Sequence, residues 1–192
     1  MSILLKMNIV HIMKKAITTK EKILENAKNE ARSKGLEKIG MREISSAYSV
    51  ALGTLYNYFP DKESLIIATI SSIWNETIVN LKKPEGFVSA ITNVYEAIVE
   101  VDDSYSGFLS VHSSFFKAKE KGKKEMEEAI NGLSNYLASS MEEELKKALR
   151  GTLETRDFLT FVLNNIVFYA LRKEKPVVLI SIIGKLYGEE NV

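Results

Sequence analysis

Apolar residues recur every three or four positions through most of this chain, and no long window alternates with the period of two that a half-buried strand requires. The pattern predicts an all-α protein. Ile23, Leu24, Ala27 and Ala31 form one face of a first helix. Thr18 is placed to cap it, Glu21 to complete a capping box, and Gly35 to leave it in the left-handed region. Ile44 and Ala47 share a face of a short helix over Met41 to Ala47, and Ala51, Leu55 and Phe59 share a face of another that ends at Phe59. Only Tyr48, Ser49 and Val50 separate the two, with Val50 plugging the corner, which is the spacing of a helix-turn-helix.

Pro60 stops that unit, and Asp61 is a good cap for a helix running to about Lys83. One stripe of this helix carries Leu65, Thr69, Ile73, Thr77 and Leu81; Ile66, Ile70, Trp74 and Ile78 lie beside it. Pro84 suits the first turn of a helix over Glu85 to Val101, with Phe87, Ile91, Val94, Ile98 and Val101 on its apolar face. Asp102 to Ser104 is expected as a turn and a cap for the next segment, and Lys117 to Lys124 as a charged corner. The spacing of Met126, Ile130, Leu133, Leu137, Met141, Leu145 and Leu149 predicts one long helix from Lys124, ended by Gly151. The last two helices, 156–173 and 176–187, are apolar around nearly their whole circumference, and Gly184 permits close contact. A single small body does not readily cover both, so one face of each is left for a partner and a homodimer through these helices is expected; the plain alternative is that they lie in the centre of the monomer.

The outer side of the third helix is unusual for a surface. It presents Gly53, Thr54, Tyr56 and Asn57, with Leu52 at its edge. Such a face can enter a DNA major groove. Gly53 lets the backbone approach, Tyr56 and Tyr58 can donate to phosphate oxygens, Asn57 can address a base edge, and Thr54 offers a hydroxyl and a methyl. The plain alternative is that a few aromatics on short helices are ordinary core.

The stretch from Lys22 to Leu65 resembles the DNA-binding domain of TetR-like transcriptional regulators. The resemblance rests on Ile23, Leu24 and Ala27, on Gly35, on Met41, Arg42 and Ile44, and on the run Gly53 to Phe59 followed by Lys62, Glu63, Ser64 and Leu65. It implies an N-terminal three-helix domain over 18–64, after an extension over 1–17, and a C-terminal helical ligand-binding and dimerisation domain over 65–192. It further implies that Thr54, Tyr56, Asn57 and Lys62 contact DNA, with Tyr58 partly packed and partly at the backbone; Arg42 and Gly53 complete the expected DNA-binding set. The sequence departs from that pattern at three positions. Ser49 stands where the family has a turn glycine, and Ala51 and Leu52 where it has a serine and a lysine, which removes two phosphate contacts and a helix cap.

Composition narrows the chemistry. The net charge of +1 is uninformative, but residues 1–64 hold 11 Lys and Arg against 7 Asp and Glu, while 65–192 hold 15 against 18. A basic head on a mildly acidic body fits a DNA-reading module. Cysteine is absent, and His11 and His112 match no ligand spacing, so no metal site or cofactor is expected. No phosphate loop, H-E-x-x-H or nucleophile elbow occurs, and no enzymatic activity is expected. Lys6, Lys14 and Lys15 break up the apolar opening, and no window reaches the length of a membrane span, so a cytoplasmic protein is expected.

The resemblance also implies a cavity for a small, apolar or aromatic effector. Trp74, Tyr95, Phe108, His112, Phe115, Phe116, Tyr136, Asn164 and Tyr169, with Asn165 beside them, are the aromatic and polar-tipped residues that fit its walls. His112 and Asn164 are natural orienting groups. Ala31 is small where the family has a bulky aromatic, so Leu36, Ile39 or a residue of the N-terminal extension is expected to fill the space. The reading is a dimeric repressor that its effector releases from a palindromic or near-palindromic operator. The alternative is a helical homodimeric interaction module whose DNA binding is weakened or lost, encouraged by Ser49, Ala51 and Leu52.

Overall fold

The computed structural model describes residues 19–110, 122–150 and 153–186, and these are all-α. The helices are α1 (Lys20–Lys34), α2 (Met41–Tyr48), α3 (Leu52–Tyr58), α4 (Lys62–Val79), α5 (Phe87–Ser104), α6 (Lys123–Ser139), α7 (Glu143–Leu149), α8 (Thr155–Arg172) and α9 (Val177–Leu186), with a 3-10 turn at Leu36–Lys38. The chain divides into two compact units, one ending at Thr69 and the other beginning at Ile70.

In the first unit α1 is capped by Thr19 rather than Thr18, which lies outside the described residues. The Thr19 hydroxyl accepts from the Lys22 amide at 3.2 Å. Glu21 is one position too early for the expected box; its carboxyl is nonetheless held below the usual range by its own backbone amide and by the Thr19 hydroxyl. Gly35 ends the helix at φ 87°, ψ 153°, positive in φ as expected but extended in ψ, so the chain turns directly into the 3-10 segment. Ile23, Ala27 and Ala31 are fully buried, as are Leu36 and Ile39, and α1 packs against the turn that carries Leu36. Leu24 is only half-buried. The two alanines expected on inner faces point out: Ala47 and Ala51 are exposed, and the corner is closed by Ile44, Val50, Leu55 and Phe59 instead. Burying a methyl returns too little to dictate the rotation of a short helix when Leu and Phe compete for the same core. The ammonium of Lys20 lies 5.9 Å from the centre of the Phe59 ring.

The second unit corrects three boundaries. Helix α4 stops at Val79, not Lys83. Pro84 biases the residue before it away from helical geometry, and the Lys82 carbonyl is taken by the Tyr136 hydroxyl, at 2.7 Å, and the Asn93 amide, at 3.3 Å. Helix α5 starts later than expected, at Phe87, and continues through Asp102 to Ser104. The turn comes at Tyr105 to Gly107, where Gly107 has φ 74°. Asp102 still caps the segment after that turn, accepting from the Leu109 amide at 2.9 Å. The predicted long helix from Lys124 to Leu149 is two helices, α6 and α7. Ser139 and Ser140 both turn their hydroxyls back onto helix carbonyls, those of Tyr136 and Leu137, at 2.7 Å. That competition unwinds the helix there. Past the break, the Glu142 carboxylate accepts from the Phe87 amide at 3.2 Å and so covers the start of α5. The apolar stripe nevertheless carries through: Leu133, Leu137, Met141, Leu145 and Leu149 are buried. Its first members, Met126 and Ile130, are not. Phe87 stacks on Phe158 with ring centres 5.8 Å apart, joining α5 to α8.

Candidate functional site

The helix-turn-helix is built by α2, α3 and the turn between them. The Ser45 hydroxyl donates to the Val50 carbonyl at 2.7 Å, tying the end of the turn back to α2. Ser49 adopts φ 53°, ψ 36°, the left-handed region that a glycine enters freely and a serine does not. Leu55 and Phe59 anchor α3 inward. Its other side is left to solvent: Tyr56 is 49% and Tyr58 41% exposed, Asn57 and Gly53 are exposed, and Thr54 is half-buried. A Cβ added at Gly53 would meet nothing within 4 Å, so packing within the protein does not require a glycine there. Ala51 sits at the capping position and supplies no side-chain bond, the cost of the missing serine.

Arg42 is exposed in the first turn of α2. Lys62, at the start of α4, is exposed too, with its ammonium donating to the Glu37 carbonyl at 3.0 Å. Asp61 caps α4 as expected, accepting from both the amide and the hydroxyl of Ser64 at 2.7 Å. The result is a firmly held α4 start beside an uncapped, outward-facing α3.

Residues 23–69 match the family model of bacterial regulatory proteins of the tetR family. The match covers the N-terminal quarter of the chain. A TetR transcriptional regulator from Rhodococcus sp. RHA1 has the same all-α architecture, with a TM-score of 0.56 at 19% identity over 86% of this chain and 91% of that one. A Clostridium perfringens protein named as a putative fatty acid metabolism regulator is more distant, with a TM-score of 0.42 at 20% identity over 88% of this chain and 98% of that one. Comparison with curated proteins finds no match.

A cavity of about 280 Å³ lies within the second unit. Its floor is apolar: Trp74, Ile98, Leu109, Ala129, Leu133 and Leu163, all buried. Its rim is Met126 and Ile130 of α6 with Thr160, Asn164, Val167 and Leu171 of α8. Of the residues expected around an effector, Trp74 and Asn164 line it. Phe108 lies behind Trp74, fully buried, with ring centres 5.4 Å apart in an edge-on contact. Tyr95 borders a separate shallow hollow along α5. Tyr136 is spent on the α4–α5 connection, where its hydroxyl also accepts from the Asn93 amide at 2.9 Å. Tyr169 is half-buried and meets the edge of Phe168. Asn165 bonds its own helix, at the Phe161 carbonyl. His112, Phe115 and Phe116 lie outside the described residues. The aliphatic lining does not stand out in the sequence, because Leu, Ile and Ala on these helices look the same whether they face a cavity or the core. A usable signal exists in the row Thr160, Asn164, Val167 and Leu171, where two polar residues one turn apart share a face with apolar ones on a largely apolar helix.

Among the described residues no group of His, Asp and Glu is arranged to hold a metal ion, and no helix is long and apolar enough to cross a membrane. Helices α8 and α9 expose large apolar side chains. Phe161, Phe168 and Leu171 on α8 are about half exposed, and Val177, Val178, Ile182 and Leu186 on α9 similarly or more so.

Proposed function

We propose that the protein is a cytoplasmic, ligand-responsive DNA-binding regulator, a homodimeric repressor released from a near-palindromic operator by a small apolar effector. The observation that carries this reading is the outward face of α3. Gly53, Tyr56 and Asn57 stand open, with Thr54 half-buried beside them, on a segment that matches the tetR family model. Thr54 and Asn57 address base edges, while Tyr56, Tyr58, Arg42 and Lys62 address phosphates. Lys62 reaches a phosphate by exchanging its bond to the Glu37 carbonyl, so its contribution is smaller than that of an uncommitted lysine.

The exposed apolar faces of α8 and α9 pair with those of a second copy in a four-helix interface. Symmetry then holds two copies of α3 about 34 to 36 Å apart, or farther for a longer site, in register with successive major grooves. The effector occupies the cavity floored by Trp74. Trp74 belongs to α4, the same helix whose first turns follow the reading unit, so a ligand that displaces this indole acts on that helix. A coupling of about 1 to 3 kcal/mol changes operator affinity about 5- to 150-fold.

The test is a gel-shift titration on DNA flanking the protein's own gene at several salt concentrations. A specific complex is expected, with Asn57→Ala relaxing sequence preference at one position and Lys62→Ala weakening all sequences alike and flattening the salt dependence by about one phosphate. Absence of any specific complex with the natural dimer would favour the interaction-module alternative, in which the loss of the residues replaced by Ser49, Ala51 and Leu52 has ended DNA reading.

A further inference from the structure

We infer that the cavity beside Trp74 is completed by a second copy of the chain, whose α8 closes its mouth, so that effector binding and dimerisation strengthen each other. That closure rests on the reading of this cavity as the effector site and of α8 as a dimer face, and it joins the two in one surface. Within a single chain the cavity is not shut. Its floor is buried, but on the rim Leu171 is 56% and Ile130 43% exposed, and Thr160 and Asn164 are exposed with them. An apolar ligand seated there keeps part of its surface in water, whereas small-molecule sites bury most of their ligand.

The open rim and the bare apolar face are contiguous. Asn164 lies one turn from both Phe161 and Phe168, and Leu171 lies one turn beyond Phe168. Leu171 belongs to both sets, lining the cavity and standing among the exposed apolar side chains of α8. A body that covers Phe161 and Phe168 therefore reaches across to the mouth. The order of residues along α8 fits a second copy of the same helix as that body. Paired antiparallel about a two-fold axis between Asn164 and Asn165, it sets Phe161 opposite Phe168, Asn164 opposite Asn165, and Asp157 opposite Arg172. From Phe158 to Leu171 the helix carries no charged residue, so its own image meets it without like-charge repulsion. At the two ends opposite charges face each other. Arg172 already holds Glu174 at 2.9 Å, so this end pair fixes register more than it adds strength.

The protein carries its own reporter. Trp74 is the chain's only tryptophan and lies in the cavity floor, so its fluorescence can be titrated with n-octanol on the intact chain. The titration is run at protein concentrations above and below dimer dissociation, located by sedimentation, and on Phe168→Asp, a change outside the cavity lining. The dimer is expected to hold octanol at least about 10-fold more tightly than the diluted chain does. The variant should bind as weakly as the diluted natural chain at every concentration, which separates loss of the partner from a local effect of the substitution. Reciprocity then requires saturating octanol to tighten the dimer about 100-fold, one factor of about 10 for each of its two sites. Equal affinity in dimer and monomer, a Phe168→Asp protein that remains dimeric, or a natural dimer whose Trp74 does not respond would each overturn the proposal. A gel shift run in parallel separates this failure from that of the broader reading. Octanol that binds the dimer preferentially without releasing DNA leaves the shared site standing and refutes control of the operator through it.

Discussion

Ser49 and Gly53, four residues apart, hold each other's natural places. Ser49 sits at φ 53°, where an L-residue pays roughly 1 to 2 kcal/mol and glycine does not. Gly53 sits in a helix, exposed, with nothing near the place of a Cβ, where glycine costs roughly 1 kcal/mol against alanine. Ser49→Gly should therefore raise stability by about 0.5 to 1 kcal/mol, the gain from relieved strain being partly offset by the larger entropy glycine loses on folding. Urea denaturation with an unchanged slope checks it, and a lowered midpoint would show that the turn is held by more than its backbone angle. Gly53→Ala should likewise raise stability by up to about 1 kcal/mol yet weaken operator binding, because the methyl fills space a phosphate backbone or base edge has to enter. An alanine variant that binds DNA as tightly as the natural protein would refute that use of the glycine. The outward placement of this face is legible in the sequence, because Leu55 and Phe59 anchor the helix inward and so leave Gly53, Tyr56 and Asn57 on the far side. The outward turn of Ala47 and Ala51 is not legible, since an alanine's methyl is too small to vote on how a helix rolls.

At the level of elements, hydrophobic spacing identifies nearly every helix but misplaces its ends wherever side chains compete for backbone groups. The break between α6 and α7 and the early end of α4 have that common cause: Ser139 and Ser140 take carbonyls three residues back, while Tyr136 takes a carbonyl and Glu142 an amide across more than fifty residues, and apolar spacing registers neither. Tyr136 is the centre of this arrangement, donating to the Lys82 carbonyl at 2.7 Å while accepting from Asn93 at 2.9 Å. It thus straps the α4–α5 connection to α6, a task different from lining an effector cavity. Tyr136→Phe should cost about 0.5 to 1.5 kcal/mol, softened by the direct Asn93 bond to the same carbonyl at 3.3 Å. Hydrogen exchange should quicken over residues 80–86, while binding of any apolar ligand that reports through Trp74 keeps its affinity. A loss of ligand affinity without faster exchange would instead make the phenol part of the binding site.

For the whole molecule, the decisive question is what covers the apolar faces of α8 and α9. Phe168 is 54% exposed, with the Arg172 guanidinium 5.5 Å from its ring centre, so within one chain it stabilises little and its replacement should be nearly silent. In a dimer the same ring would lie among Phe161, Leu171 and their counterparts, where an introduced carboxylate is buried without a partner and repelled by its symmetry mate. Phe168→Asp should therefore leave the unfolding free energy of the dilute chain within about 0.5 kcal/mol of the natural protein yet abolish self-association at micromolar concentration. Operator affinity should fall far more than any single α3 substitution lowers it, because two half-sites bound independently lose the benefit of linkage, about 10²- to 10⁴-fold. Sedimentation of the variant beside a gel shift on the same DNA reads both quantities. A variant that stays dimeric would move the interface off this face. One that becomes monomeric while binding DNA undiminished would sever the dependence of operator reading on symmetry, and with it the reason for a chain of this size to leave so much apolar surface bare.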